Sequence, residues 1–229
     1  MSSEDKRLQS LEWDQAQGAE LFRGGFLTVS RRRVRGRFQD GAATAWYEVE
    51  TVSPPFLDAV VLLLYARQAG RPDRVVLRRA ARPAVALRSQ HPLLLGLDGG
   101  PCSGLIWELP AGGVEPSDLA PGGMGVLGRA SREALEEAGF ALAAADFHPL
   151  GPPPLSAPAF CPERLHYLAA AVDPAQAQTA RGDGHPMEEG AQLCLLELDQ
   201  ALAWCASGRI VDGKTELGLR RLADWLRER

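Results

Sequence analysis

Apolar residues in this chain gather in short blocks broken by glycine, proline and charge, and only a few stretches carry the 3.6-residue period of a helix. Asp58–Ala66 (DAVVLLLYA) is apolar through its middle and reads as a strand buried on both faces. Val75–Leu77 (VVL), Leu105–Leu109 (LIWEL), Arg164–Val172 (RLHYLAAAV) and Gln192–Leu198 (QLCLLEL) predict further strands, with a turn at Arg71–Asp73. Ahead of Pro54 and Pro55, Leu21–Val34 and Thr44–Val52 are rich in β-branched and aromatic residues, and Gln39–Gly41 between them form a turn. An antiparallel β region over residues 1–55 and a second domain over 56–229 are therefore expected. Met1–Gly18 is polar and is expected to fray, with Leu8, Leu11 and Trp13 as its anchors. Helical periodicity returns at the end of the chain, where Leu219, Leu222, Trp225 and Leu226 form one apolar face. A shorter helix, capped by Asp199 and running through Ala206, stops at Gly208.

The stretch Trp107–Phe140 (WELPAGGVEPSDLAPGGMGVLGRASREALEEAGF) breaks this plain pattern. With REALEEAG as a helix, Glu133, Glu136 and Glu137 stand at i, i+3 and i+4, their Cβ atoms about 5–6 Å apart. Ala130, Ala134 and Ala138, with Leu127 and Leu135, make the opposing apolar stripe, and Gly139 suits the left-handed position past the last turn. Glu136 and Glu137 lie beside the terminal carbonyls, where each exposed negative charge costs about 0.3–1 kcal/mol. Arg132 precedes Glu136 in the less favourable order. A hard divalent cation, Mg²⁺ or Mn²⁺, removes that conflict by taking carboxylate and carbonyl oxygens. For the helix by itself, a solvated acidic face is the simpler account. The preceding WELPAGG adds a strand edge, a proline and a small-residue turn whose carbonyls can approach a metal.

Together these residues resemble the Nudix hydrolase signature, in which a glycine and a spaced acidic residue precede Arg-Glu-aliphatic-x-Glu-Glu-x-Gly-apolar. Arg132, Glu133, Ala134, Glu136, Glu137, Gly139 and Phe140 match its helical half in full. With Gly112 as the first glycine, Asp118 falls where the family has glutamate, and LAPGGMGVLGRAS exceeds the usual gap as a Gly-rich insertion in the loop before the helix. The resemblance implies that Glu133, Glu136, Glu137 and the Ala111 carbonyl hold the metal, and that Arg132 orients a glutamate. It also implies an α+β fold, a Nudix α/β/α sandwich with a mixed β-sheet and an N-terminal antiparallel β extension.

Weaker likenesses flank this box. LRRAARPAV is similar to the segment before it in ADP-ribose pyrophosphatases, matching at Arg82 and Pro83, with Ala80 and Ala81 in place of a Gln-aromatic pair. Arg82 is then a candidate diphosphate contact. Ala157, Pro158, Ala159, Phe160 and Glu163 resemble that branch's Ser-Pro-Gly-x-x-x-Glu stretch, which makes Glu163, just past the proline-rich loop Pro149–Pro162, a candidate substrate contact. Ala175–Gly190 lacks apolar periodicity and is long for a loop. Its Glu188 and Glu189 match the acidic cluster from which similar enzymes draw a catalytic base, and serve equally as a solvated loop tip. Ile210, Asp212, Lys214 and Thr215 match the family ending Ile-x-Asp-x-Lys-Thr.

The resemblance implies Mg²⁺-dependent hydrolysis of a nucleoside diphosphate sugar, with ADP-ribose cleaved to AMP and ribose 5-phosphate as first choice. UDP- and GDP-sugars are the alternatives within that class, and a non-catalytic nucleotide-sugar sensor is the alternative outside it. A homodimer through the N-terminal sheet is likewise implied. The whole-chain numbers are those of an ordinary globular protein: 229 residues, 45% hydrophobic and 24% charged. The net charge of −4 argues against nucleic acid as a partner, although Arg31, Arg32, Arg33, Arg35 and Arg37 form a basic run that is either a solvated strand or a phosphate or dimer contact. Met1–Arg7 is charged with no apolar stretch behind it, and the longest apolar run is too short for a bilayer, so a cytoplasmic protein is expected. Cys102, Cys161, Cys194 and Cys205 show no C-x-x-C pair and are expected as reduced thiols. No ligand or base role is indicated for His91, His148, His166 or His185.

Overall fold

The computed structural model describes residues 7–24, 26–88, 104–180, 182 and 191–229, without the side chains of 16 and 17. The chain forms two compact units, Met1–Leu57 with Leu155–Arg164, and Asp58–Pro154 with Leu165–Arg229.

The first unit is built on three antiparallel strands, β1 (Leu8–Arg23), β2 (Thr28–Phe38) and β3 (Tyr47–Ser53), in the order β1-β2-β3. The sequence pattern placed one strand over 21–34 and left the first eighteen residues to fray. Instead, residues from Leu8 onward pair along β2, and the chain reverses between Arg23 and Thr28. Ion pairs reinforce this backbone pairing. Arg31, Arg33, Arg35 and Arg37 share one side of β2, and the flanking strands supply their partners. Arg35 and Arg37 meet Glu12, Arg33 meets Asp14, and Arg31 meets Glu48 and Glu50. Two of the guanidiniums also lie over the Trp46 ring. Four of the five arginines of the basic run are thus paired within the sheet, and the Glu12 carboxyl is held down to about 2 by hydrogen bonds from Arg35 and Arg37. Val52 N–H donates to Phe160 O at 2.8 Å, which ties β3 to the 155–164 segment of the same unit.

The second unit centres on β4 (Asp58–Ala66), whose residues Val60–Leu64 are fully buried as the apolar run required. Around it lie β5 (Arg74–Ala81), β6 (Leu105–Glu108), β7 (Ala111–Gly113), β8 (His148–Pro149), β10 (Cys161–Ala171, from Leu165 on) and β11 (Gln192–Glu197). The sheet path is β11-β5-β4-β10-β8, with β6 on β5 and β7 on β4. The remaining strand, β9 (Leu155–Ala157), pairs with the first residues of β10 inside the first unit. His166 meets Asp58, and Val172 N–H donates to Tyr65 O, so contacts advance in the same direction along β10 and β4. These two strands are parallel while the other registers are antiparallel, which makes the sheet mixed.

Helices cover both faces. A short α1 (Pro83–Arg88) follows β5, and α2 (Pro116–Leu119) precedes the long α3 (Gly125–Ala138). On one face Ala130, Ala134 and Ala138 of α3 pack with Val60, Leu62, Leu64 and Val76. On the other, α4 (Leu198–Ala206) and α5 (Gly213–Arg227) bury Ala201, Leu219, Leu222 and Leu226 against Val61, Leu63, Leu77 and Leu109. Alternate residues of β4 and β5 feed alternate cores, as the two-residue strand period demands. This is the α/β/α sandwich expected from the sequence. Asp199 lies inside the first turn of α4, and Glu197 holds the N-cap position expected of it. Trp225, partly buried against the core, packs edge-on on Tyr65 at 5.7 Å.

Candidate active site

Helix α3 is longer than the sequence suggested. The Gly-rich insertion placed in the preceding loop is in part helical, because Gly125–Ser131 supplies its first turns. Met124 at the N-cap lies against Gly128, where a Cβ would sit 2.1 Å from the methionine Cβ. At the other end Gly139 is left-handed (φ 73°), and its own N–H and that of Phe140 donate to the Leu135 and Ala134 carbonyls. Gly182 N–H donates to Glu136 O and Gln178 N–H to Gly139 O, so the chain after β10 covers this terminus.

The carboxylates do not share one outward face. Glu133 and Glu137, at 4% and 7% exposure, are buried beside the alanine stripe; Glu136 is half-buried, and Leu135, expected in the apolar stripe, is 44% exposed. Two buried charges need partners. Glu133 is paired with Arg129, one turn earlier, whose other Nη reaches Glu115 at 2.8 Å. Glu137 is paired with Arg78 from β5 and accepts the Ala111 N–H at 2.8 Å. The backbone of Ala111 therefore meets the helix through its amide. Glu136 makes no hydrogen bond or ion pair through its carboxylate among the described residues.

Gly112 explains how Glu133 fits. A Cβ there would fall 1.7 Å from Glu133 Oε1, so only glycine leaves room for this carboxylate. Asp118 is buried; it accepts the Glu115 N–H at 2.8 Å and pairs with Arg132, whose side chain is 45% exposed. Arg132 thus steadies the α2 turn, while Arg129 and Arg78 orient the glutamates. Arg78 was legible in principle: it follows Val76 on the α3 side of a buried strand, where alternation calls for an apolar residue.

Beside this cluster Glu108, 1% exposed, collects three cations. Arg82 donates to both its oxygens, at 3.0 and 2.6 Å. Lys214 Nζ lies 3.1 Å away, and Arg78 Nε 3.8 Å away from its place directly opposite in the β5–β6 register. Asp212 caps α5 by accepting from Thr215 N (3.2 Å) and Oγ1 (2.6 Å), and it also binds Lys214 at 2.6 Å. The Thr215 hydroxyl in turn accepts Leu109 N–H at 2.9 Å. Thus the Asp-x-Lys-Thr segment docks onto the ELP turn. Tyr167 donates to Lys214 O at 3.0 Å, and burial, reinforced by Asp212, pushes its phenol up to about 12.

The other sequence candidates fall elsewhere. Glu163 lies half-buried in the first unit, and Glu188 and Glu189 lie outside the described residues, as do Cys102, His91 and His185. His166 Nε2 is paired with Asp58 at 2.8 Å. Cys161, Cys194 and Cys205 are free thiols, the last buried.

The donor set suits the hard divalent ion that the resemblance implies: carboxylate oxygens one turn apart, and a glycine cradle that a Cβ would fill. In the arrangement described, both buried carboxylates are engaged by arginine, and no three Asp, Glu, His or Cys among the described residues are gathered to enclose an ion. No helix of the described residues is long and apolar enough to cross a membrane.

The sequence matches no family model and no curated protein. The crystal structure of an ADP compounds hydrolase aligns over 97% of this chain and 97% of that one, with a TM-score of 0.65 and 16% sequence identity. At that identity the likeness establishes the architecture, and this chain has the Nudix-type α+β fold.

Proposed function

We propose that the chain hydrolyses the pyrophosphate bond of a nucleoside diphosphate sugar with Mg²⁺ or Mn²⁺, and that ADP-ribose, cleaved to AMP and ribose 5-phosphate, is its substrate. The observation that carries this reading is the buried Glu133–Glu137 pair set against the Gly112 cradle, on the fold of a hydrolase of ADP compounds. Stability alone does not call for two desolvated carboxylates on an alanine-packed helix.

Glu133, Glu136, Glu137 and the Ala111 carbonyl would hold the ion. When bound, it supplies charge neutralisation at the diphosphate and a lower pKa for water. The protein's own contribution is orientation: Arg78 and Arg129 fix the two buried carboxylates, and Arg82, 43% exposed on its Glu108 anchor, presents a guanidinium to an anionic substrate. Of the sequence candidates, Glu188 or Glu189 is assigned to accept the water's proton, while Glu136 is assigned to the ion. Glu163 is assigned to substrate contact on sequence likeness.

Exposed Leu8, Leu11, Trp13 and Phe22 on the first unit support a homodimer through its sheet, checked by sedimentation at micromolar concentration. The three free thiols agree with a reducing, cytoplasmic setting. Neutralisation of the β2 arginines agrees with the absence of nucleic acid from this proposal.

The test is chromatography of products from ADP-ribose, UDP-glucose and GDP-mannose, with Mg²⁺ and then with chelator. Metal-dependent release of nucleoside monophosphate and sugar phosphate from ADP-ribose is expected, and Glu137→Gln abolishes it without unfolding the chain. Cleavage of another nucleotide sugar instead would keep the reaction and change the base. The pairing of Glu133 and Glu137 with arginine favours a second reading, a quiet module that binds a nucleotide sugar. That reading requires binding without turnover in the wild type.

A further inference from the structure

The Asp-x-Lys-Thr segment has no role in the proposed reaction and Glu108 serves there only to anchor Arg82, yet both are joined to the candidate metal helix. Glu108 is 1% exposed and Arg78 3% exposed, and they face each other across β5 and β6. Arg78 extends to Glu137 on one side, and Lys214 extends to Glu108 from the N-terminus of α5 on the other. Lys214 is itself fixed twice, by Asp212 at 2.6 Å and through its carbonyl by Tyr167 at 3.0 Å. The middle link, Arg78 Nε to Glu108, is an ion pair at 3.8 Å, longer than a hydrogen bond, so Glu108 acts on the guanidinium through charge in a desolvated setting where that charge is weakly screened.

We infer that Lys214, Glu108 and Arg78 form a relay of positioning residues that sets the Glu137 carboxylate from the N-terminus of α5. Charge alternates along it: ammonium, carboxylate, guanidinium, carboxylate. Removing Lys214 leaves Glu108 to Arg78 and Arg82 alone, draws Arg78 toward Glu108, and loosens its hold on Glu137. Arg132, the arginine adjacent to Glu133 in sequence, has no place in this relay because it is spent on Asp118. The functional side of the inference rests on the hydrolase reading; the coupling itself does not.

Two measurements on the full chain separate them. The first is a double-mutant cycle in urea, with chelator, for Lys214→Met and Glu137→Gln. These side chains share no direct contact among those described, so independent effects would multiply in the unfolding constant. The relay predicts a departure of at least about threefold from multiplication, and a product within that margin overturns it. The second is Mn²⁺ binding followed by electron paramagnetic resonance without substrate. Lys214→Met is expected to weaken it by about tenfold, as partners of metal ligands do, and Lys214→Arg to recover most of the loss. Wild-type affinity in Lys214→Met overturns the positioning role. A wild type that neither binds Mn²⁺ nor cleaves any nucleotide sugar sinks the hydrolase reading, and the cycle still decides the relay.

Discussion

Replacing Gly112 by alanine tests the packing of the candidate site through a single methyl group. The added Cβ would stand 1.7 Å from Glu133 Oε1, 2.1 Å from its Cδ and 2.8 Å from Oε2, so the whole carboxylate has to leave. Its departure breaks the pair with Arg129. Stripping one partner from a buried ion pair costs about 3–5 kcal/mol when the other charge is stranded. Here Arg129 keeps Glu115 at 2.8 Å, and the loss is closer to one hydrogen bond to a charged group, about 1.5–3 kcal/mol. Urea unfolding in chelator, followed through the tryptophans, should show that loss. In a Glu133→Ala background the obstructing atoms are gone, and the same Gly112→Ala change should cost no more than about 0.5 kcal/mol. Gly213→Ala, where a Cβ meets nothing within 4 Å, serves as the neutral control. Equal costs for Gly112→Ala in both backgrounds would refute the claim that this glycine exists to admit Glu133.

Three further outcomes follow from the same contacts. Gly139→Ala combines a left-handed φ of 73° with a Cβ placed 2.0 Å from Gln178 O, so it should destabilise by more than the roughly 1–2 kcal/mol of the backbone conformation alone, read by urea midpoint. Arg129→Met should destabilise more than Arg132→Met, because Arg129 is buried between Glu115 and Glu133 while Arg132 is half in solvent; the reverse order, by the same assay, would contradict the assignment of Arg129. Tyr167, raised to about 12 in the folded chain, holds its proton beyond the unfolded value of about 10. Its contribution is complete below pH of about 10 and is lost as pH rises through about 12, so unfolding free energy should fall across that window and fall less in Tyr167→Phe.

The strands of the second unit were readable because burial on both faces leaves an uninterrupted apolar run, as in Val60–Leu64. β1 was not readable. Its backbone pairing with β2 is reinforced by Glu12 and Asp14 meeting arginines on the next strand, far along the chain, and such pairs leave no periodicity behind. At the site, the glutamates were named from helical spacing and Gly112 from the resemblance, while the orienting partners Arg78 and Arg129 were not named. Arg78 and Glu108 come together through strand register, which local sequence does not encode.

The charge order of α3 shows where such reading reaches its limit. Two glutamates in a last turn suggest a missing cation, and the inference is sound electrostatics. The fold provides one answer from outside the helix: Arg78 reaches Glu137 from β5, and Gly182 donates its N–H to the Glu136 carbonyl. The conflict is therefore relieved before any metal ion is considered, and charge order alone does not demand one. What still points to an ion is the combination that arginine pairing leaves unexplained: a glycine kept where any Cβ would displace Glu133, and a half-buried Glu136 whose carboxylate engages none of the described residues. Arginine can satisfy Glu133 and Glu137 separately. Mn²⁺ binding by the wild type tests whether Glu136 joins them on a shared ligand.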